Sequence, residues 1–359
     1  MNQQLPDKMK ALVLFAPDDV RMVEKPVPKP GPGEVLIKVA ACGICGTDAK
    51  IIHKGIPRMP AYGEFTFGHE WAGTIVALGD TVDEFKIGDR VAIEAHKGCG
   101  RCENCIAGKY TSCLNYGRLD KTHRASGMTV DGGFAQYAVH HINSIYKIPD
   151  NLSFVEATYV TTLGCALYAI DMVGGYIAGD SLLVIGPGPI GLSVVQGAKA
   201  LGAEKIILVG TREDRLEIGR KLGATHIINI QNQSDPLAKV MEITAGRGCE
   251  SVFECAGNNA SFDLAIKSTK KGSSVCLIAF YKEPVTADLE HIVFNGISLY
   301  TVRGEGRNNC KRALSLMSQG RIDTKSILTH TFPLEEFHKG LDYFVNRKDG
   351  AMKVVITIE

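Results

Sequence analysis

Apolar and polar residues alternate along EVLIKVAACGIC (34–45) with the two-residue period of a β-strand. Two more runs of this kind flank a Gly/Asp-rich connection in WAGTIVALGDTVDEFKIGDRVAIEA (71–95), and DGGFAQYAVHHINSIYKIP (131–149) continues the pattern. Regular helical spacing is scarce before about residue 153. The texture then changes. SLLVIG (181–186) reads as a buried strand, and PIGLSVVQGAKALGA (189–203) has helical spacing with a terminal glycine. KIILVG (205–210) predicts a second strand, EDRLEIGRKLGA (213–224) a helix and THIINI (225–230) a third strand. SVFECAG (251–257) and SVCLIAF (274–280) predict later ones. Strands alternating with helices argue for a doubly wound parallel sheet, so the chain is expected to be an α/β protein with a β-rich first part. The last sixty residues add a helix, CKRALSLMSQG (310–320), and a closing strand, KVVITIE (353–359).

At 359 residues the chain is long for one core and suits two domains. It is 45% apolar and 22% charged, the mix of an ordinary globular protein. Forty basic side chains against thirty-nine acidic ones leave a net charge of +1, which predicts no nucleic-acid and no membrane partner. The residues MNQQLPDKMK hold no apolar core of signal-peptide length, and the longest apolar runs fall far short of a membrane span. Eleven cysteines, an odd number, suit a reducing cytosol better than a disulfide scaffold. A cytoplasmic protein is expected.

That expectation decides the reading of CGRCENCIAGKYTSC (99–113). In a reducing compartment, two intervening residues let neighbouring thiolates turn toward one point about 2.3 Å away. Cys99, Cys102, Cys105 and Cys113 therefore predict a closed tetrahedral site for a structural zinc ion. GPGPIG places Gly186, Gly188 and Gly191 at the G-x-G-x-x-G spacing, directly after a strand and at the head of a helix. The first glycine permits the tight turn, and the second lets backbone approach a pyrophosphate. The third lets the helix pack closely on the sheet, and Pro189 and Ile190 complete the turn. A dinucleotide cofactor is expected.

CGICGTD (42–48) and GHE (68–70) add Cys45, His69 and Glu70, donors from separate segments that suit a zinc ion with an open position. With these motifs in this order, the chain resembles the zinc-dependent medium-chain alcohol and polyol dehydrogenases, including sorbitol and threonine dehydrogenases. The resemblance runs from about Lys8 onward and rests on GICGTD, GHEWAGTIVALG, FKIGDRV, the four-cysteine loop, GGFAQY, GPGPIG, VFECAG and THTFPLEEFHKGLDYF. It implies a GroES-like β domain over 1–155, completed by 300–359, and a Rossmann domain over 156–299, with the active site in the cleft between them. It implies that Cys45 and His69 hold a catalytic zinc and that Asp48 orients His69. Glu70 is a ligand in polyol-dehydrogenase-like members and lies outside the ligand set in others. The implied reaction passes a hydride between a nicotinamide cofactor and a secondary alcohol or ketone. Zinc polarises the substrate oxygen and Thr47 accepts the hydroxyl proton. Tetramers or dimers, paired through edge strands of the Rossmann sheet, are usual in the family, so a homo-oligomer is expected.

Several positions leave choices open. Many relatives carry a further zinc-directed residue upstream of the glycine turn. Here YVTTLGCALYA (159–169) offers Thr161 or Thr162, both poor ligands, with Cys165 one helical turn too late. Glu70 or a water is expected to complete the shell. Lys50 stands where several relatives have a proton-relaying histidine, and a lysine with its ordinary pKa near 10.4 shuttles protons poorly at neutral pH. Gly210 stands where NAD-specific units place a ribose-binding carboxylate. Thr211, Arg212 and Arg215 offer a hydroxyl and two guanidinium groups to a 2′-phosphate, which favours NADP. Glu213 or Asp214 swinging back to the ribose would favour NAD. The expected substrate is a polyol, cyclitol or sugar derivative, with Glu305 and Arg307 of RGEGRNN (303–309) on its hydroxyls. Alternatively Glu305 faces the amine of a threonine-like amino alcohol, or both residues are surface charges. A family member without chemistry is the remaining reading.

Overall fold

The computed structural model describes residues 5–306 and 308–359. They fold as two compact units. The first runs to Thr161 and takes in Gly304–Ser318 and Thr324–Glu359; the second is Thr162–Arg303 with Gln319–Asp323. The junctions at Thr161/Thr162 and Arg303/Gly304 lie a few residues beyond 155/156 and 299/300.

The first unit opens with a hairpin, β1 (Lys8–Ala16) and β2 (Asp19–Pro26), which the apolar pattern had not marked. β3 (Glu34–Gly43) follows, then α1 (Gly46–Lys54), β4 (Trp71–Leu78), β5 (Arg90–Ile93) and β6 (His96–Lys97). The four-cysteine loop contains α2 (Glu103–Ile106); after it come β7 (Arg124–Ala125), β8 (Tyr137–His141), β9 (Ile145–Lys147) and α3 (Phe154–Ala157). Helix α1 is short, and capping rather than periodicity defines it. The Asp48 carboxylate accepts the Cys45 N–H at 2.8 Å, and Gly55, at φ 66°, ends the helix with its N–H on the Ile51 carbonyl.

The second unit begins within α4 (Val160–Met172) and alternates regularly through β10 (Ser181–Ile185), α5 (Pro189–Ala200), β11 (Lys205–Gly210), α6 (Glu213–Leu222) and β12 (His226–Asn229). β13 (Cys249–Glu254), β14 (Thr269–Leu277) and β15 (Ser298–Thr301) complete it. The six strands are parallel in the order β12-β11-β10-β13-β14-β15, the doubly wound arrangement expected of a dinucleotide-binding sheet. All five residues of β10 are buried, as a central parallel strand covered on both faces requires.

The chain then returns to the first unit with β16 (Leu328–Pro333) and β17 (Lys353–Thr357). β17 lies between β16 and β3, so the sheet reads β16-β17-β3-β4-β5-β9, with β8 also paired to β3. Its core is aromatic. Phe67, Phe134 and Phe337 meet edge to face with ring centroids 5.0–5.6 Å apart, beside the fully buried Trp71. Phe337 comes from the returning segment, which therefore contributes to this core.

Candidate active site

Cys45, His69 and Glu70 converge at one end of β3 and β4. One ligand atom from each lies within 4.8 Å of the others. Cys45 precedes α1 as its N-cap residue, and His69 and Glu70 immediately precede β4. Gly68, at φ 96°, makes the approach possible: a Cβ there would fall 2.6 Å from the Phe134 ring and 2.9 Å from the Cys42 sulfur. Asp48 is fully buried and ties two of the donors together. Its Oδ2 accepts the Cys45 N–H, and its Oδ1 lies 3.2 Å from His69 Nδ1. With Nδ1 turned to Asp48, Nε2 is the ring nitrogen left for a metal. The donor set, one thiolate, one imidazole and one carboxylate, fits zinc.

Glu70 has a partner that sequence reasoning missed. Lys353, at the start of β17, forms an ion pair with Glu70 Oε2, and the two side chains are 3% and 5% exposed. Burial alone would lower the Lys353 pKa, but the charges of Glu70, Cys45 and Asp48 reverse the shift and the amine stays protonated. Gly43 makes room for the pair, since a Cβ there would fall 2.9 Å from Glu70 Oε2. The only hint in the sequence is a lone lysine heading the apolar run KVVITI. Such a lysine ordinarily reaches for solvent.

Thr47 is half-buried in the first turn of α1, and Lys50 is exposed on the next. Thr161 closes the first unit, while Thr162 and the half-buried Cys165 open the second, all on α4. Glu305 is not the surface charge offered as an alternative: it is 4% exposed, with Oε2 3.7 Å from His96 Nδ1. Burial pushes its pKa up to about 7, with His69 drawing it down and Glu70 raising it, so it lies within electrostatic reach of the donor cluster. Behind it stands Glu94, also missed. Burial and the Glu305 charge push Glu94 up to about 8, while Tyr110 and Tyr146 donate their hydroxyls to its two oxygens. Arg307 lies outside the described residues.

The four-cysteine loop forms a second candidate centre. The four sulfurs lie within 4.8 Å of one another, with Cys99–Cys105 and Cys102–Cys113 each at 3.9 Å. A tetrahedron with metal–sulfur bonds of about 2.3 Å has edges of about 3.8 Å, so the cluster already has the size zinc needs. None of the cysteines is in a disulfide. At Cys99 burial raises the pKa, but the Asn115 amide at 3.2 Å and the N–H groups of Arg101 and Cys102 outweigh it, and the thiolate forms at about 6. Gly98 is obligatory here: a Cβ would strike Tyr110 and the Cys105 sulfur.

In the second unit the turn between β10 and α5 has the form a pyrophosphate requires. Gly186 sits at φ 107°, and a Cβ on Gly191 would fall 2.0 Å from the Gly186 carbonyl oxygen. A Cβ on Gly188 would meet nothing within 4 Å, and no side chain caps α5. The first N–H groups of the helix are thus open to an anion. Pro189 and Ile190 begin that helix. At the end of β11, Gly210 leads to the exposed Thr211, the half-buried Arg212 and, on α6, Arg215. Glu213 accepts a 2.6 Å hydrogen bond from the Asn229 amide.

Comparison with known proteins gives the family. Residues 31–150 match the alcohol dehydrogenase GroES-like domain, and residues 189–319 match the zinc-binding dehydrogenase family. Sorbitol dehydrogenase of Bacillus subtilis is 34% identical over 99% of each chain. L-threonine 3-dehydrogenase of Bacillus licheniformis is 35% identical over 92% of this chain and 93% of its own. An Escherichia coli oxidoreductase/dehydrogenase of unknown specificity superposes with a TM-score of 0.91 at 31% identity, covering 98% of this chain and 99% of that one. A zinc-binding dehydrogenase of Sinorhizobium meliloti bound to NADP has a TM-score of 0.87 at 29% identity over 98% and 100% of the two chains. An E. coli alcohol dehydrogenase complexed with NADH has a TM-score of 0.88 at 28% identity, also over 98% and 100%. The chain belongs to the zinc-dependent medium-chain alcohol and polyol dehydrogenase family. It is an oxidoreductase that acts on CH–OH groups with zinc and a nicotinamide cofactor. No described helix is long and apolar enough to cross a membrane.

Proposed function

We propose that the enzyme is a cytoplasmic polyol, cyclitol or sugar-alcohol dehydrogenase that prefers NADP and holds two zinc ions per chain, one catalytic and one structural. The observation that carries the catalytic assignment is the convergence of Cys45, His69 and Glu70 around the Asp48 brace. Zinc held there would supply Lewis-acid polarisation of the substrate oxygen, and a bound nicotinamide nucleotide would supply the hydride chemistry. Cys45 and His69 would hold the metal, with Glu70 as the third protein donor. Asp48 fixes the His69 tautomer. Thr47 Oγ takes the proton from the substrate hydroxyl. The closed set of Cys99, Cys102, Cys105 and Cys113 holds the structural ion.

Buried Glu305, backed by Glu94, supports the substrate reading. A side chain there hydrogen-bonds hydroxyl groups whether ionised or protonated, and when ionised it repels a substrate carboxylate, which favours a polyol over an amino acid such as threonine. An amino alcohol without a carboxylate is the second reading. Arg307 is proposed as a further contact for the hydroxyls. NADP preference is supported by Gly210 in place of an acid, by Arg212 and Arg215 nearby, and by Asn229 drawing Glu213 aside. Assembly as a homo-oligomer, tetramer or dimer, is supported by the free edge of β15, where Leu299 is 42% exposed. Turnover of polyols, cyclitols, amino alcohols and threonine with both cofactors tests the substrate reading, which threonine as the best substrate would overturn. The kcat/KM ratio for the two cofactors in wild type and Arg212→Ala tests cofactor choice.

A further inference from the structure

The end of β11 and the glycine turn are locked together. Gly186 N–H donates to the Val209 carbonyl at 2.8 Å, and the Gly210 carbonyl accepts from Ile230 at 3.0 Å. Position 210 is therefore held from both sides. Between the first two glycines of the turn stands Pro187, and its ring lies against Gly210. A Cβ at 210 would fall 2.6 Å from both Pro187 Cγ and Cδ, and 3.3 Å from Leu216 Cδ2. Carbon atoms rest about 3.5–4.0 Å apart, so the overlap is close to 1 Å. Neither neighbour yields easily. The proline ring is rigid, and Leu216, on the inner face of α6, is completely buried.

We infer that Pro187 is a cofactor-specificity residue: its ring holds position 210 to glycine and so keeps a ribose-binding carboxylate out of the site. The direction of the resulting selectivity rests on the NADP reading above; the steric lock does not. Gly210 alone would look like a single-step route to NAD, by substitution with aspartate. The packing makes it a two-step route, because the two colliding atoms belong to Pro187 and alanine at 187 lacks both.

The test is equilibrium binding of NADH and NADPH, followed by nucleotide fluorescence, to wild type, Pro187→Ala, Gly210→Asp and the double variant. Gly210→Asp alone should weaken both nucleotides by about tenfold or more, since the overpacked turn moves out of place. The double variant should bind NADH more tightly than Gly210→Asp alone while NADPH stays weak, with Pro187→Ala as the reference for what loss of the ring does to the turn by itself. Gly210→Asp alone binding NADH as tightly as wild type or tighter would overturn the lock, as would a double variant no better than the single. If Gly210→Asp fails to fold, the melting temperatures of Gly210→Ala and Pro187→Ala/Gly210→Ala decide: the second should exceed the first, and equality refutes the lock. A wild type that binds NADH more tightly than NADPH would defeat the NADP reading while leaving these comparisons intact.

Discussion

Replacing Lys353 with methionine isolates the ion pair beneath the candidate catalytic centre. Methionine keeps most of the apolar stem, which packs against Gly43, and removes only the ammonium group. Glu70 Oε2 then loses its ionic partner at a site where the two side chains are 3% and 5% exposed, too dry for water to substitute freely. Breaking a buried pair from one side costs about 3–5 kcal/mol, because the remaining charge stays desolvated. For a unit of this size each kcal/mol moves the melting temperature by about 2–4 °C, so a fall of about 6–20 °C is expected. Lys353→Arg should recover most of it. Lys353→Met with Glu70→Gln should lose much less than Lys353→Met alone, since no bare charge remains. Thermal unfolding of chelator-treated protein reads the pair without metal, and zinc analysis of untreated protein reads the effect on the site. A Lys353→Met variant within about 1 kcal/mol of wild type in both forms would show that the pair does not anchor Glu70.

Cys102→Ser should remove one zinc per chain and lower stability while leaving turnover per remaining zinc largely intact; a single zinc in the wild type, with freely titratable loop thiols, would contradict this. Thr47→Val keeps the side-chain shape and should keep the zinc, but kcat should fall by about a hundredfold or more. Wild-type turnover would place the proton acceptor elsewhere. His140 is buried with Nε2 donating to the Glu94 carbonyl at 2.9 Å, and burial lowers its pKa from 6.5 to about 4. The unfolded chain takes up this proton first, so the contribution of His140 to stability is full above pH 6.5 and is lost as pH drops toward 4, by about 3 kcal/mol across that window, while the raised pKa values of Glu94 and Glu305 act in the opposite direction. Denaturant midpoints between pH 7 and 5 should show wild type losing stability relative to His140→Gln as pH falls; a constant difference between the two would assign the protons to other groups.

What was legible in the sequence was local. The cysteine loop could be read because its four ligands lie within fifteen residues, and the glycine turn because β10 and α5 switch from strand to helical periodicity around it. The pairing of Glu70 with Lys353 could not be read this way. It exists because β17 joins β3 in register, Val355 opposite Gly43, and no periodicity encodes which distant strand fills that place. Glu305 looked like a polar loop residue, and loops ordinarily face water; its burial against His96 depends on the chain returning to the first unit. Gly210 stood out by its position, but its reason, the Pro187 ring, is a contact between the glycine turn and the end of β11. Helix α1 escaped because its nine residues make only about two and a half turns, too short a stretch for helical spacing to stand out.

The placement of β17 has a consequence for how the enzyme is made. A ribosome releases β3, β4 and all three donors of the catalytic cluster long before it releases Lys353, and the entire β10–β15 sheet emerges in between. The second unit, continuous over Thr162–Arg303 but for one short return, has nearly all its contacts available while the first still lacks an interior strand. The usual vectorial order, amino-terminal part first, is therefore inverted. The unit that starts the chain finishes last, and until then the β3 edge reserved for β17 is open to strand pairing with other chains. On stalled nascent chains released after residue 303, the second unit should already resist protease while the first is cut. Equal protection of both at that length would contradict this order of assembly.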